Sequence, residues 1–165
     1  MKPISVQLYS LREESKKDFT AVLKRVAQIG YKGVEPAGFY NYKPAEFRKV
    51  VEELGMKVSS SHGPWANPTN LAEAEETAKI LGLDIVSTGY GPNEFKDLDA
   101  IKKTAETVNG MIAVLKKAGL SLFLHNHHWE FTKIGDKLAY DYFAELCPEA
   151  LFEIDTYWAA NFGAN

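Results

Sequence analysis

Three of the chain's four histidines, His125, His127 and His128, fall in one short stretch, LFLHNHHWEF at 122–131, with Glu130 directly behind them. Neutral imidazole is a ligand for divalent metals, and a carboxylate beside it completes such a set or moves protons. The stretch opens as an apolar run that reads as a strand. Successive strand residues alternate faces, so His125 and His127 share one side and Asn126 takes the other. His128 has the opposite parity and reads as solvent-facing or structural. Further on, Glu153 and Asp155 in FEIDTYW also share a parity. A buried carboxylate there requires a cation or hydrogen bonds to offset its desolvation. The bland alternative is a solvated loop in which these groups only cap neighbouring helices.

Regular punctuation shows which elements position these residues. Helix-like segments end at Gly30, Gly55, Gly82 and Gly119, and each glycine is followed within a residue or two by a short apolar run. Glycine closes a helix because it adopts the left-handed conformation at little steric cost. The spacing predicts helices over 18–29 with Asp18 as N-cap, from Pro44 onward, and over 70–81, 98–118 and 137–146. Strands are predicted at 4–9, 33–36, 56–61, 84–88, 120–125 and 151–155. Such alternation implies a parallel sheet with helical crossovers.

An open doubly wound sheet is disfavoured because no glycine-rich phosphate fingerprint follows the first strand, VQLYSLREE. Polar and ionisable residues instead gather at strand C-termini: Tyr9, Glu35, His62, His125, His127, Glu153 and Asp155. That is the chemical end of a (β/α)8 barrel. With Leu122 and Leu124 packed outward against helices, both histidines point toward the barrel axis. The 165 residues read as a single domain, the N-terminal portion of a TIM barrel with about six βα units where eight are required. The open edges imply that the chain is a piece of a longer one, or that another copy (a homo-oligomer) or another chain covers them.

Net charge −3 and pI near 5.8 argue against a nucleic-acid partner. No apolar stretch approaches the roughly 20 residues that span a bilayer, so no membrane partner is expected. The N-terminus lacks a signal-peptide core, and the single Cys147 suits a reducing compartment, so the expected location is cytoplasmic. Cys147, in ELCPEA, reads as a packing residue. Nucleophilic catalysis lacks a G-x-S-x-G elbow or a C-x-x-C pair. GYGPNEF, at 89–95, reads as a plain loop more readily than as a cover for the site.

ISVQLYSLRE, GYKGVEP, SSSHGP, LFLHNHHWEF and FEIDTYWAANFGA, in this order, resemble the sugar phosphate isomerase/epimerase family. These are xylose-isomerase-like TIM barrels, a group that includes inosose dehydratases and endonuclease IV. The resemblance implies that Asp155 matches a metal-ligand aspartate and that Trp158 sits where such barrels touch the sugar. Family members commonly use Glu, Asp, His and Glu from the fifth to the eighth strands. Here the fifth-strand position carries His125, and metal-bound imidazole is a poor general base. Glu130 or His127 must then move the proton.

The expected protein is therefore a metal-dependent sugar isomerase or epimerase that abstracts a proton next to a carbonyl. His125 and Asp155 would hold a divalent ion (Mn, Co, Zn or Mg), Glu130 and His127 would act in catalysis, and Tyr9, Glu35, His62 and Trp158 would contact a small-molecule sugar. The alternatives are a lyase or dehydratase on the same scaffold, or an inactive partial barrel. An endonuclease IV-like phosphodiesterase is disfavoured, because neither extra ligands nor a basic groove is visible. The sequence supplies at most half of the family's ligand set.

Overall fold

A computed structural model of the chain describes residues 3–162. The chain forms two compact units. One comprises the chain up to Trp65 with Ala72–Val86; the other comprises Ala66–Leu71 with the chain from Ser87 onward.

The first unit alternates β1 (Ser5–Gln7), α1 (Arg12–Ile29), β2 (Gly33–Glu35), α2 (Pro44–Glu53), β3 (Lys57–Val58) and, from its second residue on, α3 (Leu71–Leu81). Its sheet runs β1-β2-β3, all parallel, with Gln7 opposite Glu35 at the last rung. Helix α1 starts six residues before the expected Asp18, but its backbone leaves helical geometry at Asp18 (φ −155°, ψ 92°). There the Asp18 Oδ1 accepts the Ala21 N–H at 2.9 Å, so the expected cap operates inside a kinked helix. Pro44 opens α2, and Glu46 reaches back to the Lys43 N–H at 2.9 Å. Phe19, Leu23 and Val26 of α1 bury against Val34, Phe47, Val51, Met56 and Leu81, with the Phe19 and Phe47 rings stacked at 5.7 Å. Each such side chain contributes about 1.5–3 kcal/mol by leaving water.

The division between units passes through β4 (Ile85–Thr88). Beyond it come α4 (Leu98–Lys117), β5 (Ser121–His125), β6 (Lys133–Ile134), β7 (Lys137–Leu138), α5 (Ala139–Leu146), β8 (Leu151–Glu153) and α6 (Thr156–Asn161). The sheet order is β4-β5-β8, and β5 pairs in parallel with β8 through the rungs Phe123–Leu151, Leu124–Phe152 and His125–Glu153. Helix α4 buries Ile101, Ala105, Val108, Ile112 and Leu115, one face at helical spacing, and packs on α5 and β5. Leu122, Phe123, Leu124 and His125 are all buried, as expected of a strand covered on both faces.

One local expectation needs correction. The helix expected from Lys137 begins at Ala139, because 133–138 form a small antiparallel hairpin, β6–β7, turning at Gly135 (φ +68°). GYGPNEF ends in a tight 3-10 turn over Pro92–Phe95, and Phe95 is buried with its ring 5.6 Å from Phe143. It is a packed connection. Cys147 is buried and donates weakly to the Ala105 carbonyl at 3.5 Å. Gly163 and Ala164, the end of the FEIDTYWAANFGA stretch, lie outside the described residues.

Candidate metal centre

The last rung between β5 and β8 sets His125 beside Glu153. His125 is buried, and its Nδ1 lies 3.0 Å from the Glu153 Oε2. Sequence reading paired His125 with Asp155. The register instead gives His125 the carboxylate of its own rung. Asp155 stands two residues past the end of β8, where its Oδ1 accepts the N–H groups of Tyr157 (2.9 Å) and Trp158 (3.2 Å) and caps α6.

Strand β5 stops at His125, so alternation no longer dictates where His127 points. The chain turns there into a 3-10 turn, Trp129–Phe131. The His127 ring stands edge-on to His125 at 5.2 Å and stacks on Trp129 at 4.4 Å. Behind it, Glu130 has 0% of its surface exposed. Its Oε2 accepts the His127 N–H at 2.9 Å, and its Oε1 lies 4.0 Å from the His127 Nδ1. Burial pushes the Glu130 carboxyl up to about 7; N–H donors, including that of His127, and the neighbouring His125 offset only part of the rise. A group so enclosed does not touch a substrate in this arrangement. Glu130 stands behind His127, whose side chain is 20% exposed.

Trp158 is half-buried in the first turn of α6, with its ring 6.2 Å from His127 and 5.5 Å from His128. His128 stacks on Phe162 at 5.0 Å and meets Trp129 edge-on, a packing role rather than a solvated one.

The first unit has a polar set of its own at its strand ends. Glu35 is buried, accepting Gln7 Nε2–H at 2.9 Å through Oε1 and the Ser60 hydroxyl at 2.7 Å through Oε2. The His62 Nδ1 lies 3.5 Å from the same Oε1, and its ring meets Trp65 edge-on at 5.2 Å. Tyr9 is exposed, 6.2 Å from the His62 ring, with the Arg12 guanidinium over its face. The structure thus brings Tyr9, Glu35 and His62 together, and His125, His127 and Glu130 together. Sequence reasoning missed Gln7, Ser60 and Asn126. Gln7 alone carried a usable signal, as a polar residue inside the predicted strand 4–9 that shares the parity of Tyr9.

The xylose isomerase-like TIM barrel family matches residues 23–161. The chain belongs to that family. This member is similar to a sugar phosphate isomerase/epimerase from Parabacteroides distasonis, at 25% identity and TM-score 0.75, with 98% of this chain aligned to 68% of that one. An AP endonuclease, family 2, from Brucella melitensis shares the fold at 15% identity and TM-score 0.70, over 95% of this chain and 69% of that one. So does a xylose isomerase-like TIM barrel protein from Mycobacterium smegmatis, solved in complex with magnesium. There the identity is 18% and the TM-score 0.61, over 93% and 64% of the two chains. No curated protein matches the chain at a significant level.

The His125–Glu153 pair can be tested against a metal's demands. Bonds of about 2.1 Å to imidazole nitrogen and carboxylate oxygen place neighbouring ligands about 3 Å apart. The observed 3.0 Å meets that spacing. Donor types and separation both fit a divalent ion.

Proposed function

We propose that this family member is a metal-dependent sugar isomerase or epimerase that moves a proton on and off a carbon next to a carbonyl. The observation that carries this reading is the His125–Glu153 pair, two donors at ligand spacing on adjacent strand ends of a family fold. His125 and Glu153 would hold the ion, and Asp155, two residues beyond Glu153 at the N-cap of α6, would supply a further carboxylate. A bound divalent ion supplies Lewis-acid stabilisation of negative charge developing on substrate oxygens.

The chain's own residues supply the proton handling. His127 is the group placed to touch substrate: it is partly exposed, and stacking on Trp129 holds its ring flat. Glu130 positions it by fixing the His127 N–H and by setting a carboxylate oxygen beside Nδ1, where it favours the ring that has taken up a proton. Trp158 offers an indole face to the C–H side of a sugar ring. In the first unit, Glu35, Gln7, Ser60 and His62 form a set suited to hydroxyl groups, with Tyr9 beside it.

The test is a panel of aldoses and ketoses incubated in D2O with metal-loaded protein and followed by NMR. Deuterium entering the carbon beside the carbonyl, and lost in a folded His127→Ala variant, is the expected result. Isomerisation without any solvent deuterium, or no exchange in any sugar, counts against proton abstraction.

A further inference from the structure

Asn126 is completely buried between two residues assigned to the site, His125 and His127. Its carboxamide makes three hydrogen bonds. Oδ1 accepts the Asp155 N–H at 2.8 Å, and Nδ2 donates to the carbonyls of Asp155 and His127, each at 3.2 Å. The backbone ladder between β5 and β8 ends at the His125–Glu153 rung. Beyond it, the Asn126 side chain pairs with both backbone polar groups of Asp155, as the peptide of a longer strand would. One amide thus extends the ladder while the backbone of β5 turns away toward His127.

The consequence is positional. Asn126 holds the main chain at Asp155 and at His127, so His125, His127, Glu153 and Asp155 all lie within two residues of a backbone group it fixes. We propose that Asn126 is a positioning residue for metal binding, setting the distance between His125 and the carboxylates leaving β8. This rests on the metal-centre reading above. Only a carboxamide does this work at that site. Aspartate sets an oxygen against two carbonyl oxygens, and alanine removes the partner of the Asp155 N–H and of the His127 carbonyl, leaving the Asp155 carbonyl only the Ala159 N–H at 3.1 Å.

Two measurements test it on the whole chain. In metal-free wild type, hydrogen exchange followed by NMR should show the Asp155 amide protected; exchange at the rate of open-loop amides overturns the clamp. Titration with Mn(II) should show Asn126→Ala and Asn126→Asp binding about 10–100-fold more weakly than wild type, the usual cost of losing a group that orients a ligand. Asp97→Ala, which loses a remote helix cap, serves as the control for mere destabilisation and should bind as wild type does. If neither Asn126 variant folds, Asn126→Ser replaces them with the same expectation. Wild-type affinity in the folded variants overturns the proposal while leaving the metal reading intact. Wild type that binds no Mn(II) overturns the metal reading itself, even with Asp155 protected, and Asn126 then has no metal to position.

Discussion

Glu130 couples its burial to pH. Its carboxyl titrates near 7 in the folded chain against a reference of 4.5, because the enclosed site disfavours the charge. A raised folded pKa means that the native state binds the proton more tightly than the unfolded state does. The favourable contribution is therefore present below about pH 4.5 and is lost as pH rises through about 7. Metal-free wild type should lose about 2 kcal/mol of stability from this group between pH 5.5 and 8.5. Glu130→Gln, which keeps the shape and does not titrate, should lack that loss; urea unfolding at both pH values measures the difference. Equal pH slopes in the two proteins contradict the burial argument. At this scale the sequence disclosed residue types better than partners. His125 and Glu153 are legible as inward-facing strand residues, and the family resemblance points to Asp155 as a ligand, but spacing within one strand does not report register between two, so the His125–Glu153 rung is visible only in the structure. The roles of Asn126 and Ser60 are not legible, because a hydrogen bond to a distant backbone or carboxylate leaves no periodic trace.

Elements were legible where periodicity was long. Helix α4 runs Leu98–Lys117, within a residue of its expected end, because its apolar face repeats over five turns and Asp97 caps it through the Ala100 N–H at 2.8 Å. Asp97→Ala should cost about 1 kcal/mol, read as a lower urea midpoint at unchanged slope. The hairpin β6–β7 was not legible: strands of two residues each are too short to show alternation, and its Lys-Ile-Gly-Asp-Lys turn sits inside a stretch that also reads as a helix start. Strand ends were overextended for one reason throughout. Sequence marks where apolar character stops, whereas the ladder ends where a neighbour no longer pairs, so β3 covers only Lys57–Val58 of the expected 56–61. Phe143, fully buried and ring-packed on Phe95, joins α5 to the turn before α4. Its truncation in Phe143→Ala should cost about 3–5 kcal/mol, and an effect below about 1 kcal/mol contradicts that packing.

For the whole molecule, the alternation of strands and helices was the most legible property, since α1 to α4 each close with a glycine before the next strand. The stretches at its strand ends, LFLHNHHWEF and FEIDTYWAANFGA above all, carried the resemblance to the family that the match over residues 23–161 bears out. The chain aligns to 68% of the Parabacteroides relative's length, so the complete activity belongs to the proposal rather than to these residues alone. Global opening has a built-in reporter in Cys147, whose thiol is buried and pushed up to about 11 by that burial. Its labelling by a thiol reagent should be slow in native protein and should accelerate in step with unfolding by urea; fast native labelling contradicts the packed α4–α5 layer. The central claim is the divalent ion held at the ends of β5 and β8, and calorimetric titration of Mn(II) into metal-stripped protein tests it most directly. Wild type should bind one ion per chain, with His125→Ala and Glu153→Gln each weakened at least tenfold while remaining folded. Stoichiometric binding at wild-type affinity in both variants contradicts the account.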